Sequence, residues 1–153
     1  MLMPRSRPRT KLRSGCPLNV SVEILGDRWS LLIIRDMMLR GFRSYTQFLQ
    51  SYERIATNIL AHRLKKLERY GIVATQQDPL DGRRLIYTLT EKGMDLAPVL
   101  TEMVLWTAAH EEHQNPELIR QIKKDKEKFL TTVRQRWLEN SSHKDRRESL
   151  RHS

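Results

Sequence analysis

The sequence predicts a mostly helical fold with one small β-hairpin, and three observations predict it. From Thr57 to Arg69 the apolar residues Ile59, Leu60, Leu64 and Leu67 recur at the three-and-four spacing of one helix face. Asn58, Ala61, His62, Lys65 and Arg69 fall on the opposite face. Two β-rich runs follow directly, 72–76 and 85–89, with Pro79 and the pair Asp81-Gly82 between them, a strong hairpin signal. Two short helical patterns joined by a tight link precede the hairpin, which is the helix-turn-helix arrangement. A helix with a polar outer face beside a hairpin that ends in Arg83 and Arg84 is the layout of a winged helix-turn-helix.

Charge narrows the partner. The 153 residues carry 28 Lys and Arg against 18 Asp and Glu, a formal net charge of +10, which suits a phosphate backbone or an anionic membrane. No apolar run reaches the length that a membrane span needs, so nucleic acid is the better match and a cytoplasmic location is expected. A single cysteine excludes an intramolecular disulfide framework.

In order along the chain, residues 1–14 read as a basic disordered arm without acids or periodicity, able to lie along DNA. The main domain spans 15–113. Pro17 suits a first helical turn, Val20, Ile24 and Leu25 give an apolar face, and Gly26 closes this helix. Asp27 is expected to cap a second helix, whose run Leu31-Leu32-Ile33-Ile34 marks it as central; Gly41 ends it. Thr46 is expected to cap a short third helix with Phe48 and Leu49 inward, and residues 51–55 link it to the helix from Thr57, which Gly71 stops.

Past the hairpin, Thr90 is expected to cap a long helix reaching about His113. Pro98 either kinks that helix or marks its true start. Its apolar stripe is too wide for one side of a small domain. Leu96, Leu100, Met103 and Trp106 are therefore assigned to a dimer interface, and a cavity between this helix and the core is plausible. Residues 114–139 read as an additional amphipathic helix through Leu118, Ile122, Phe129, Val133 and Trp137, and 140–153 as a disordered tail.

From Cys16 to about His110 the chain resembles the HxlR family of bacterial transcriptional regulators. The resemblance rests on Cys16-Pro17, on Gly26-Asp27-Arg28-Trp29, and on Ile55-Ala56-Thr57-Asn58-Ile59-Leu60 with Arg63-Leu64. Tyr87-Thr88-Leu89-Thr90, Gly93 and Pro98-Val99-Leu100 extend it. It implies a homodimeric winged-helix regulator, in a family that often senses small molecules or redox-active electrophiles. The wing sequence DPLDGRRLIY departs from the proline-rich wing frequent in that family and is closer to a MarR-like pattern. The resemblance does not extend to Asn115 and beyond.

A dimer would place two such helices in successive major grooves of double-stranded DNA, over an inverted-repeat operator with half-sites ~34 Å apart. Thr57 and Asn58 stand at the helix start, where amide and methyl groups read adenine and thymine, and His62 lies one turn on. Thr57 has a rival role as a cap. Lys65 and Lys66 suit phosphates; Arg43, Ser44 and Tyr45 could grip the backbone, and Arg83 and Arg84 could reach phosphates or a minor groove.

Cys16 begins a helix behind Lys11 and Arg13, a setting that favours thiol reactivity. A redox sensor and a small buried hydrophobe are both open for it, the second weighted more heavily. His110 and His113 flank two glutamates, but the sequence holds no zinc-protease motif, no phosphate-binding glycine loop and no nucleophile elbow. No metal, cofactor or catalytic group is expected.

The leading reading is a homodimeric, sequence-specific DNA-binding transcription regulator, with a small-molecule effector or redox response left open. The alternatives are an architectural DNA-binding protein with little sequence preference, a thiol-dependent protein acting through Cys16, and a dimeric adaptor for an acidic protein.

Overall fold

A computed structural model describes the backbone over residues 13–149 and the side chains over 13–141. The first twelve residues of the expected basic arm and the last four of the expected tail lie outside the described residues. Ten elements follow in order: α1 (Pro17–Leu25), α2 (Ser30–Arg40), α3 (Tyr45–Leu49), α4 (Thr57–Arg69), β1 (Val73–Gln77), β2 (Leu85–Leu89), α5 (Glu91–Met94), α6 (Ala97–His110), α7 (Pro116–Lys124) and α8 (Lys126–Ser149). The fold is mostly α with a two-stranded antiparallel wing, as expected.

The core gathers around α2 and α4. Ile33, Ile34, Phe48, Leu60, Leu64, Leu67, Ile72 and Val73 are all buried. The periodic residues of α4 supply its inner face, with Leu60 and Leu67 fully enclosed and Ile59 partly so. At such packing density, losing even one methylene is felt.

Several local expectations change. Ser44, not Thr46, caps α3: its hydroxyl accepts from the Gln47 amide while the Gln47 side chain accepts from the Ser44 amide, a reciprocal capping box. Asp27 caps as expected, but from one turn outside the regular helix. Its carboxylate accepts from the amides of Trp29 and Ser30, both at 2.9 Å. The wing turn is longer than a two-residue Asp-Gly hairpin. Gln77 pairs with Leu85, and the loop between closes through the Asp78 amide on the Arg84 carbonyl at 2.8 Å. Among the described residues, Gly82 is not one of the glycines with positive φ, so the mirror-image turn that Asp-Gly favours is not formed.

The expected long helix is two helices. Thr90 caps only the short α5, and Pro98 sits in the first turn of α6, so the proline marks a start rather than a kink. Gly93 lets α5 lie against the chain before β1, because a Cβ there would collide with the Ile72 carbonyl oxygen. Gly71, at φ 73°, ends α4 in the left-handed conformation that glycine adopts cheaply.

The C-terminal segment also differs from the sequence expectation. It forms two helices, with Asn115 capping α7, and α8 continues to Ser149, past the expected tail boundary at Asn140. Ile122 and Val133 are buried to 1% exposure, so these helices belong to the packed domain. The Trp137 indole N–H donates to the Leu89 carbonyl of the wing at 2.9 Å, and Arg134 and Lys126 pair with Asp95 and Glu102.

Candidate nucleic-acid interface

The start of α4 is open. Ala56 occupies the cap position and offers no side chain to the first amides, and Thr57 is the first helical residue. Thr57 is therefore not the cap, and its rival role falls away. Thr57, Asn58, His62 and Lys65 are all exposed on one helix, with uncapped amides beside the first two. Such an end attracts anions, and the groups around it carry directional donors and acceptors.

Tyr45 holds that helix in place. Its hydroxyl donates to the Thr57 carbonyl, joining the start of α3 to the start of α4. It acts within the protein as a strut rather than standing free toward a partner. Arg43 pairs through its carbonyl with the Tyr87 amide at 2.8 Å, and Ser44 bridges Ile86, so the link between α2 and α3 adds a short edge to the wing. Its guanidinium Nε is buried with no hydrogen-bond partner among the described residues.

Asp27 anchors α4 from the other side. Arg63 Nε lies 3.1 Å from its carboxylate, close enough for a charge contact although the N–H is not aligned for a hydrogen bond. Lys66 Nζ lies 3.3 Å away and is thereby withdrawn from the phosphate role expected of it. Burial would raise the Asp27 carboxyl. The Ser30 hydroxyl, the Ser30 and Trp29 amides and the Arg63 charge outweigh it and hold the group below its usual range.

The turn between α3 and α4 rests on a second charged cluster. Arg35 on α2 forks onto Glu53, at 2.6 and 2.9 Å, and reaches Asp36 at 2.8 Å. The Ser51 hydroxyl donates to buried Asp36 at 2.7 Å. The Arg35 bonds outweigh burial and hold the Glu53 carboxyl down at about 2. Arg54 in the same turn adopts φ 52°, the left-handed region that non-glycine residues seldom enter. No local pattern announces this cluster, because it joins α2 to a turn some sixteen to eighteen positions further on.

Arg83 and Arg84 stand at the wing tip with side chains 91% and 76% exposed. They are not bare charges, since Asp81 lies 3.2 Å from Arg83 Nε and 3.5 Å from Arg84 Nε. Those contacts, the Arg83 side-chain bond foremost, hold the Asp81 carboxyl below its usual range.

The remaining site residues divide. Leu96 and Leu100 pack on the core, whereas Val99, Met103 and Trp106 present an exposed apolar face of α6. Cys16 is exposed at the start of α1, against its reading as a buried packing residue. His110 lies against the Trp106 ring, and no group of three or more metal-ligating side chains occurs among the described residues. A cavity of about 580 Å³ lies among α2, α6, α7 and α8, where one between the long helix and the core was expected.

The model of the HxlR-like helix-turn-helix family matches residues 24–115. The chain belongs to that family. It is therefore a helix-turn-helix DNA-binding transcriptional regulator, and the family is not an enzyme class. The regulator YodB of Bacillus subtilis is 39% identical over 92 residues, which cover 60% of this chain and 81% of YodB. The crystal structure of PA1607 aligns with a TM-score of 0.60 at 31% identity, over 69% of this chain and 70% of that one. The reduced form of YodB aligns at 0.53 and 36%, over 63% and 95%. Its quinone-bound form aligns at 0.50 and 34%, over 61% and 98%. In this HxlR-family member α7 and α8 follow the matched segment. No helix among the described residues is long and apolar enough to cross a membrane.

Proposed function

We propose that this HxlR-type regulator acts in the cytoplasm as a homodimer that reads an inverted-repeat operator, inserting α4 of each subunit into the major groove. One observation carries the reading. Thr57 and Asn58 are exposed at an uncapped helix start, fixed by Tyr45 and Asp27, on the helix that leads into the wing. Asn58 reads a base edge, Lys65 meets phosphate, and Arg83 and Arg84 follow the backbone from the wing. The exposed apolar face of α6, with Met103 and Trp106, supports self-association.

Selection of genomic fragments by the purified protein, at physiological salt with excess random competitor, tests this. Recovery of a shared inverted repeat is the expected result. Fragments without a common motif would make it an architectural DNA-binding protein instead.

A second reading is redox response through Cys16, supported by the exposure of that thiol at a helix start and by the quinone-bound form of the related YodB. The thiolate would add to a ring carbon of an electron-poor quinone, leaving a hydroquinone thioether after proton transfer. Mass spectrometry after quinone treatment, read beside DNA affinity, decides. A Cys16 adduct with unchanged affinity sinks the sensing role.

A further inference from the structure

A second cavity, of about 390 Å³, lies between the end of α2, strand β2 and α8. Arg40, Arg43 and Arg136 all border it, and none of its lining residues is acidic. Several arginines elsewhere are answered by carboxylates, among them Arg35 by Glu53, Arg63 by Asp27 and Arg134 by Asp95. Here the balance is unmet. Arg40 is only loosely held, 3.5 Å from Asp36, and Arg136 forms no ion pair among the described residues. The Nε of Arg43 is buried and without a hydrogen-bond partner, a donor whose desolvation is uncompensated within the protein.

The other walls mix polar groups, Thr88, Asn140 and Ser141, with apolar and aromatic ones. Met37 and Met94 are buried. Trp137 lines the cavity with its indole N–H already committed to the Leu89 carbonyl, so its ring serves as an aromatic wall. Guanidinium groups prefer flat, two-oxygen acceptors, and their forks match a carboxylate.

We propose that this cavity is a binding site for a small aromatic carboxylate, held by Arg136 and Arg43 against the Trp137 ring. Arg136 and Trp137 lie on α8, outside the segment matched by the family, so the C-terminal helices complete the site. Binding does not depend on the DNA reading. Its consequence for DNA rests on that reading together with the backbone grip expected of Arg43: a carboxylate that engages Arg43 competes with a phosphate for it. The two ligands should then weaken one another by equal factors.

The test uses the full chain without DNA. Calorimetric titration at constant ionic strength compares 2-naphthoate, its neutral carboxamide and inorganic phosphate. The expected result is saturable binding of one naphthoate per chain, about tenfold tighter than the carboxamide and than phosphate. Arg136→Gln, at an exposed position, should leave thermal unfolding unchanged and weaken naphthoate about tenfold. Failure to saturate, equal binding of acid and carboxamide, equal binding of phosphate, or an unaffected Arg136→Gln each overturns the site. So does an Arg136→Gln variant that loses affinity for random duplex while binding naphthoate normally, which would make the arginines part of a DNA-backbone surface. Loss of the mutual effect alone, with naphthoate still bound, would count against the role of Arg43 in gripping DNA and not against the cavity.

Discussion

The Asp27 carboxylate, in the bend before α2, contacts Arg63 and Lys66 one turn apart on α4, at 3.1 and 3.3 Å. One short side chain therefore caps a core helix and sets the roll of α4, the helix proposed to enter DNA. Asp27→Ala should lower stability by about 1–2 kcal/mol, the range of a lost cap, and should lower DNA affinity more than that loss explains. Urea unfolding and operator titration, run on the same preparation, separate the two effects. Because the folded carboxyl is held low, its contribution is complete above the ordinary range of an aspartate and fades as pH falls through the depressed value.

Glu53 gives a second acid-sensitive contact with a wider window. Its carboxyl is held at about 2 against an ordinary 4.5, so the Arg35 bridge stabilises the fold fully above 4.5 and is lost as pH falls toward 2. Glu53→Gln should flatten stability against pH across that interval. The cost at neutral pH should be about 1 kcal/mol, because the pair is partly solvated. Chemical denaturation at a series of acid pH values reads it. An unchanged acid limb would place the sensitivity elsewhere.

Tyr45→Phe removes only a hydroxyl, the one that donates to the Thr57 carbonyl. The loss should be about 1 kcal/mol in stability. A greater proportional loss should appear in operator affinity, since the start of α4 is released. Hydrogen exchange of the Asn58 to Leu60 amides should rise in the variant. If those amides stay protected, Tyr45 is not the strut.

Asn58→Ala and Arg83→Ala should fail in different ways. The first should cost ~1–3 kcal/mol at the operator, relax preference at one base pair and spare random DNA. The second should weaken all sequences alike and reduce the salt slope by about one. Binding titrations over a salt series with both duplexes distinguish them.

The architecture was legible wherever a pattern lay within one element. The apolar stripe of α4 and the glycines at 41 and 71 mark their helix and its limits as the structure has them. Legibility failed where two residues competed for one role. Ser44 and Thr46 are equally plausible caps in sequence, and only the position of Gln47 three residues after Ser44 decides. Asp81-Gly82 signals a tight turn, yet the loop is widened by Pro79 and Leu80 ahead of it. For the site, exposure of Asn58, His62 and Lys65 follows from helical phase. The engagement of Lys66 by Asp27, 39 positions away, does not, and neither does the fixed role of the Tyr45 hydroxyl. Those depend on how separate helices meet, which no local spacing encodes.

The Trp137 indole reaches back to the Leu89 carbonyl across 48 positions of chain, and Val133 joins the same core. During synthesis the wing is made long before the helix that finishes its packing. A chain cut short after His110 would emerge with its reading helix formed but its core exposed on one side. Truncation after His110 should therefore lower the midpoint of thermal unfolding, even though the matched family segment ends at residue 115. The last helix thus ties the end of the chain to the wing, and the two should unfold together.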